Sequence, residues 1–187
     1  MKPTADTIHP IHTLLQKRWS PRAFAERPLE AGQTERLLEA ARWSASCFNE
    51  QPWRFIAGEQ GTEKYEKLFD CLAAPNQTWA GKAPLLIAGL AKKTFTHNDK
   101  PNRHAVYDLG QSMAQLTVQA SHEGLFVHQM AGFDPEKLRE SFGVSDDFDI
   151  VVVAAIGHLG EASALPEALA GKEEAPQVRK DMKDLLL

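Results

Sequence analysis

The apolar residues of this chain recur at spacings that name its elements. Leu37, Leu38, Ala40 and Ala41 fall on one face of a pattern running from about Ala31 to Trp43, which predicts an amphipathic helix introduced by Pro28 and Leu29. Trp53, Phe55 and Ala57 then alternate with Arg54 and Ile56, as in a strand with one face more buried than the other, and Gly58 and Gly61 close it. Tyr65, Leu68 and Phe69 predict a second helix over Thr62 to Leu72; NQTWAGKAP reads as a loop, and a buried strand follows over Leu85 to Leu90. The longest helix is predicted from Asn102 to Gly124 on the rhythm of Val106, Leu109, Met113, Leu116 and Ala120, with Gly in its favoured place just past a helix end. GLFVHQMAG reads as a short strand and a turn. In GFDPEKLRESFG, Asp134 is a good N-cap, Pro135 suits the first helical position and Gly143 marks the stop. Ile150 to Ile156 reads as a further buried strand. Gly160 to Pro176, rich in Ala, Glu and Pro, is expected to cross the surface as an extended arm, and VRKDMKDLLL ends in apolar residues that want a partner surface.

Helices and strands mix without the regular alternation of a doubly wound sheet, so the fold class expected is α+β. With 187 residues, 43% of them hydrophobic, the chain can bury a core as one domain. Its net charge of -4 offers no global field for nucleic acid or an anionic membrane, so neither is expected as a partner and any anion site must be local. The apolar runs are much shorter than the roughly 20 residues of a membrane-spanning helix. Cys47 and Cys71 form no CxxC, and MKPTADTIHPIHT carries no apolar h-region, which fits a reducing, cytoplasmic setting. No GxGxxG, GxxxxGK[ST] or GxSxG is present.

Two stretches carry chemistry. In KRWSPRAF, Pro21 biases Ser20 away from helical geometry, so Arg18 and Arg22 sit on a turn where both forks could meet one phosphate. Read from these residues alone, an exposed basic turn is equally open. In CFNEQPWRFI, two carboxamides, Asn49 and Gln51, stand at a joint between two core elements. Each offers a donor and an acceptor, which suits a ligand needing both, although a solvated loop would also serve. The seven histidines show no HExxH or other ligand set, so no metal is expected. Cys47 is read as structural and not as a nucleophile, and Trp43, Phe48, Trp53 and Trp79 as mostly core.

Taken together, RWSPR at 18 to 22, SCFNEQPWRF at 46 to 55, NQTWAGKAP at 76 to 84, GLFVHQMAGFDPEKLRESFG at 124 to 143 and Arg179 resemble the nitroreductase family of FMN-dependent oxidoreductases, in that family's order and over nearly the whole chain; the NEQPWRF motif is the most specific piece. The resemblance implies a mixed, mainly antiparallel sheet flanked by helices, and an intertwined homodimer whose 160–187 arm reaches the partner subunit. One FMN would lie in each of two interface pockets. By position, Arg18, Trp19 and Ser20 match the family's phosphate and ribityl contacts, Arg22 the basic residue near the N1 and O2 edge of the flavin, and Arg179 a second phosphate arginine. Ser46, Cys47, Asn49 and Gln51 match the loop that reaches the flavin from the other subunit; Asn76 matches an asparagine near the ring. Gln129, Met130, Ala131 and Gly132 match the segment against the isoalloxazine, with the Ala131 amide near N5.

The departures are Ala45 where the family often has proline, Phe48 where a small residue is usual, Trp79 where some members have lysine, and Ala131 where some have an acid. Phe48, Trp79 and His128 are candidates for shaping the acceptor pocket. The function implied is NAD(P)H-dependent, ping-pong reduction of nitro or quinone-type acceptors in two-electron steps, with no catalytic side chain and with NADH or NADPH as donor. Two other readings stay open: an FMN enzyme of the same fold with flavin-consuming or dehalogenating chemistry, and a non-catalytic module that binds a phosphorylated ligand or a protein partner.

Overall fold

The computed structural model describes residues 5–187, so the opening of the N-terminal stretch read above lies outside the described residues. Four strands, β1 (Trp53–Glu59), β2 (Leu85–Lys92), β3 (Phe126–Met130) and β4 (Phe148–Gly157), form one antiparallel sheet in the order β1-β2-β4-β3. The α+β class is as expected. Because successive side chains of a strand point to opposite faces, the apolar run of β2 feeds two cores. Leu86, Ala88 and Leu90 pack with Val153, Ala155, Tyr65, Leu68, Trp79 and Leu138 on one side. Leu85, Ile87 and Ala91 pack with Leu37, Ala41, Leu109, Met113 and Leu116 on the other. A helix layer therefore covers each face.

The helices are α1 (Thr13–Lys17), α2 (Gln33–Arg42), α3 (Glu63–Asp70), α4 (Ala74–Ala80), α5 (Ala105–His122), α6 (Pro135–Phe142) and α7 (Glu167–Glu174). Capping chemistry sets several of their ends. The Asp134 carboxylate accepts from the Lys137 N–H at 3.0 Å and opens α6. Past α5, Gly124 takes φ +73°, which lets the Leu125 N–H reach back to the Ala120 carbonyl at 2.8 Å.

Several expectations need correction. NQTWAGKAP is not a loop: residues 74–80 are helical, started by Pro75 in the first turn and buried through Trp79 and Ala80. The 160–176 segment is not extended either, since Ala162–Ala164 is a 3₁₀ turn and α7 follows. Gly58 lies inside β1 instead of closing it; a Cβ there would meet the Tyr65 backbone nitrogen at 2.5 Å, so it permits the close approach of α3. In α5 the inward residue of the first turn is Ala105, four before Leu109, and Val106 is 46% exposed. Trp53 and Trp79 are core, but Trp43 is 75% and Phe48 84% exposed.

Candidate functional site

After α1 the chain is extended at Arg18, with ψ 126°. Trp19, Pro21 and Ala23 are buried while Arg18, Ser20 and Arg22 are not, the alternation of an extended segment that anchors every second side chain. Trp19 meets Phe126 of β3 edge to face at 6.1 Å, which fixes the anchored side. The basic residues thus share the less buried side of an extended stretch that bends only at Arg22, and not the tight turn that the sequence suggested.

Arg18 meets Arg179 across the length of the polypeptide. Both line a cavity of about 660 Å³ bounded by N-terminal residues such as Ile8 and Leu15 and C-terminal residues such as Met182 and Leu185. Burial, and then the charge of Arg179, push the Arg18 guanidinium below its ordinary pKa. Among the described residues no carboxylate forms an ion pair with either arginine. Two cations converging in a partly apolar cavity repel each other, and a bound anion would reverse that unfavourable interaction.

Serine, cysteine and the two carboxamides lie on a tight loop between α2 and β1. Phe48, Asn49 and Gln51 take φ of +53°, +56° and +52°, a left-handed region that costs of order 1–3 kcal/mol for each non-glycine residue unless its surroundings impose it. Those surroundings are specific. The Cys47 N–H donates to Oδ2 of Asp108, only 2% exposed on the inner side of α5, at 3.0 Å; the Gln51 N–H donates to the Ser46 Oγ at 3.0 Å. The Gln51 amide donates back to the Asn49 carbonyl at 3.1 Å. The Glu50 carboxylate accepts from the Thr96 N–H at 2.9 Å. Desolvation opposes the Glu50 charge, yet the hydrogen bonds from Thr96 outweigh it and hold the carboxyl below its usual range. Asn49 and Phe48 project outward from a loop that is itself held rigid.

Asn76, at the start of α4, donates from Nδ2 to the Gly132 carbonyl at 2.8 Å, and the Ala73 N–H reaches the same oxygen at 2.9 Å. A Cβ on residue 132 would fall 2.7 Å from that Nδ2, so a larger residue there would displace the Asn76 amide from its present position. Asn76 therefore braces the turn after β3. Gln129 and Ala131 are exposed there, whereas the Met130 side chain belongs to the core and leaves only its backbone to a ligand. His128 joins this turn to the arginine turn: its Nδ1 lies 2.9 Å from the Pro21 carbonyl, which only accepts, so Nδ1 carries the proton. Burial, the largest effect, lowers the His128 pKa against the pull of that hydrogen bond. Trp79, expected near an acceptor pocket, is buried between Phe24, stacked at 6.3 Å, and His128 at 4.5 Å.

Sequence reasoning missed Asp108, Glu50 and Glu173. Asp108 could have been found, since it sits among the apolar positions of α5, three after Ala105 and four before Ser112. Glu173 falls four residues after Leu169 in the same way. Among the described residues no three His, Cys, Asp or Glu side chains gather to hold a metal ion, and no helix is long and apolar enough to cross a membrane.

The chain is similar to a crystallised oxidoreductase containing FMN, with a TM-score of 0.92 and 30% identity over 98% of this chain and 93% of that one. An uncharacterized 15.4 kDa protein of Mycolicibacterium smegmatis is 35% identical over 67% of this chain and 88% of its own. A putative NADH dehydrogenase/NAD(P)H nitroreductase of Streptomyces coelicolor is 26% identical over 73% and 76%. A sequence profile of the nitroreductase family matches residues 15–158, across the arginine turn, the NEQP loop and the whole sheet. With that match added to its fold, the chain belongs to the nitroreductase family.

Proposed function

We propose that the protein is an FMN-dependent NAD(P)H oxidoreductase that reduces nitroaromatic or quinone-type acceptors in two-electron steps. The convergence of Arg18 and Arg179 on one cavity carries this reading, because a dianionic phosphate is the ligand that would best satisfy two planar forks with no carboxylate partner among the described residues. Ser20 and the backbone around Trp19 would complete the phosphate and ribityl contacts. Arg22 would hold a cation beside the ring edge where negative charge develops, in a partly dry site where such a charge acts more strongly than in water. The end of β3 and the residues after it, Gln129 to Gly132, braced by Asn76, would lie against the ring and offer the Ala131 amide.

Bound FMN would supply the redox chemistry, taking hydride from a nicotinamide and passing it to the acceptor. No side chain need move a proton, and the protein's part is to bind, orient and charge the site. The NEQP loop would serve the partner's flavin. Its outward Asn49 and Phe48, with the exposed apolar residues Ile8, Val178 and Leu186 near the chain ends, support a homodimer with exchanged terminal segments. Cys47 and Cys71 are free, as suits the cytoplasm.

The test is spectroscopic. Purified protein supplied with FMN is expected to turn yellow, to bleach anaerobically with NADH or NADPH, and to regain colour with a nitro or quinone acceptor. Protein that takes up no FMN overturns the reading; flavin consumed one for one with turnover would move it to a flavin-degrading chemistry.

A further inference from the structure

Helix α7 carries a buried carboxylate to which the reaction above gives no task. Leu165, Leu169 and Glu173 recur at intervals of four and make one inward stripe; the two leucines pack on the core beside Ala23 and Phe24. The third position is an acid only 4% exposed. An anion there is unfavourable twice over, withdrawn from water and set at the negative end of its own helix. What offsets this is the arginine turn. The Arg22 N–H donates to both Glu173 oxygens at 3.1 Å, the Ala23 N–H to one at 3.4 Å, and the Arg22 Nη1 lies 3.8 Å away. An apolar residue there could fill the space but would take the acceptor from the Arg22 and Ala23 N–H groups, so the carboxylate ties the helix to the arginine turn itself.

We propose that Glu173 is a positioning residue for the flavin site: it clasps the Arg22 turn from the C-terminal tail, setting both the orientation and the effective charge of Arg22. The same clasp draws Arg179, six residues further on, back toward Arg18. The tail and the N-terminal turn then form the anion site as one unit. This rests on the FMN reading above. Losing the acid loosens the site, and it also leaves Arg22 more positive beside the ring edge that gains negative charge on reduction.

The test compares wild type, Glu173→Gln and Glu173→Asp as full chains. FMN affinity is read by fluorescence titration, the midpoint potential of the bound flavin by anaerobic dye equilibration, and the Arg22 and Ala23 amides by hydrogen exchange without ligand. Glu173→Gln is expected to bind FMN roughly tenfold more weakly, from the loss of one charge-assisted hydrogen bond, with a more positive flavin potential and faster exchange at the two amides. Glu173→Asp keeps the charge but not the reach, so it is expected to weaken binding and leave the potential near that of wild type. Should Glu173→Gln not fold, Glu173→Asp decides by its affinity. Variants that match wild type in both affinity and potential overturn the role of Glu173 and leave the flavin reading standing. A wild type that binds no FMN overturns the flavin reading, and the proposal with it.

Discussion

Arg18 and Arg179 lie at opposite ends of the polypeptide yet line one cavity, where the charge of Arg179 lowers the pKa of an Arg18 already perturbed by burial. Like charges brought together with no carboxylate partner among the described residues are expected to separate two properties that usually fall together. Arg179→Ala should leave the ligand-free protein no less stable, since it relieves repulsion, while weakening FMN by roughly ten- to a hundredfold through the lost charge-assisted hydrogen bonds. Thermal unfolding without ligand and fluorescence titration with FMN check the two halves. Equal affinity in variant and wild type would remove Arg179 from the phosphate site.

The left-handed backbone of the NEQP loop permits a comparable separation. Glycine adopts φ near +50° without a Cβ penalty, so Asn49→Gly and Gln51→Gly delete the carboxamides and spare the loop, changing stability by no more than about 1 kcal/mol. FMN affinity should nevertheless fall in both. Chemical denaturation beside ligand titration reads the contrast; a large stability loss with unchanged affinity would make the loop purely structural.

Trp79 and Phe48 are the two large aromatics at the family's variable positions, and the fold gives them opposite fates. Trp79→Ala empties a site packed by Phe24 and His128 and is expected to cost about 3–5 kcal/mol. Phe48→Ala, on an exposed ring that meets Phe95 and His97 edge on, should cost well under about 1 kcal/mol and change acceptor preference instead. Urea unfolding and kcat/KM across a set of nitro and quinone acceptors test this. An unchanged acceptor profile for Phe48→Ala would exclude it from the pocket.

His128 gives a pH dependence of definite sign. Burial lowers its pKa in the fold, so as pH falls through about 6.5 the unfolded chain binds a proton that the folded one does not, and stability declines by at most about 1.4 kcal/mol per pH unit. Above that range the group contributes nothing to the slope. His128→Gln should flatten the decline between about pH 7.5 and about pH 5.5. His158, whose pKa is also lowered by burial, keeps its own slope and serves as the internal reference. Identical pH profiles for variant and wild type would mean that His128 is not held neutral.

Local rules made much of this protein readable. Asp134 and Gly143 bound α6, the uniform run of β2 announced a strand buried on both faces, and Pro21 kept the arginine turn out of helix. Each of these depends on residues a few positions apart. The site segments were legible as a family resemblance, and the structure brings Asn76 to Gly132 and the arginine turn to β3.

Tertiary structure decided the rest, wherever the partner of a polar group lies far along the chain. NQTWAGKAP looks polar enough for a loop, but burial of Trp79 against Phe24 and His128 keeps residues 74–80 helical. Glu173 in an Ala- and Glu-rich tail reads as surface until the N–H groups of Arg22 and Ala23, some 150 positions away, make a buried carboxylate tenable. Sequence periodicity determines which face of an element turns inward, because side-chain direction repeats locally; which charge waits on the other side of that face depends on packing, because desolvation and pairing are set by neighbours that chain order does not name.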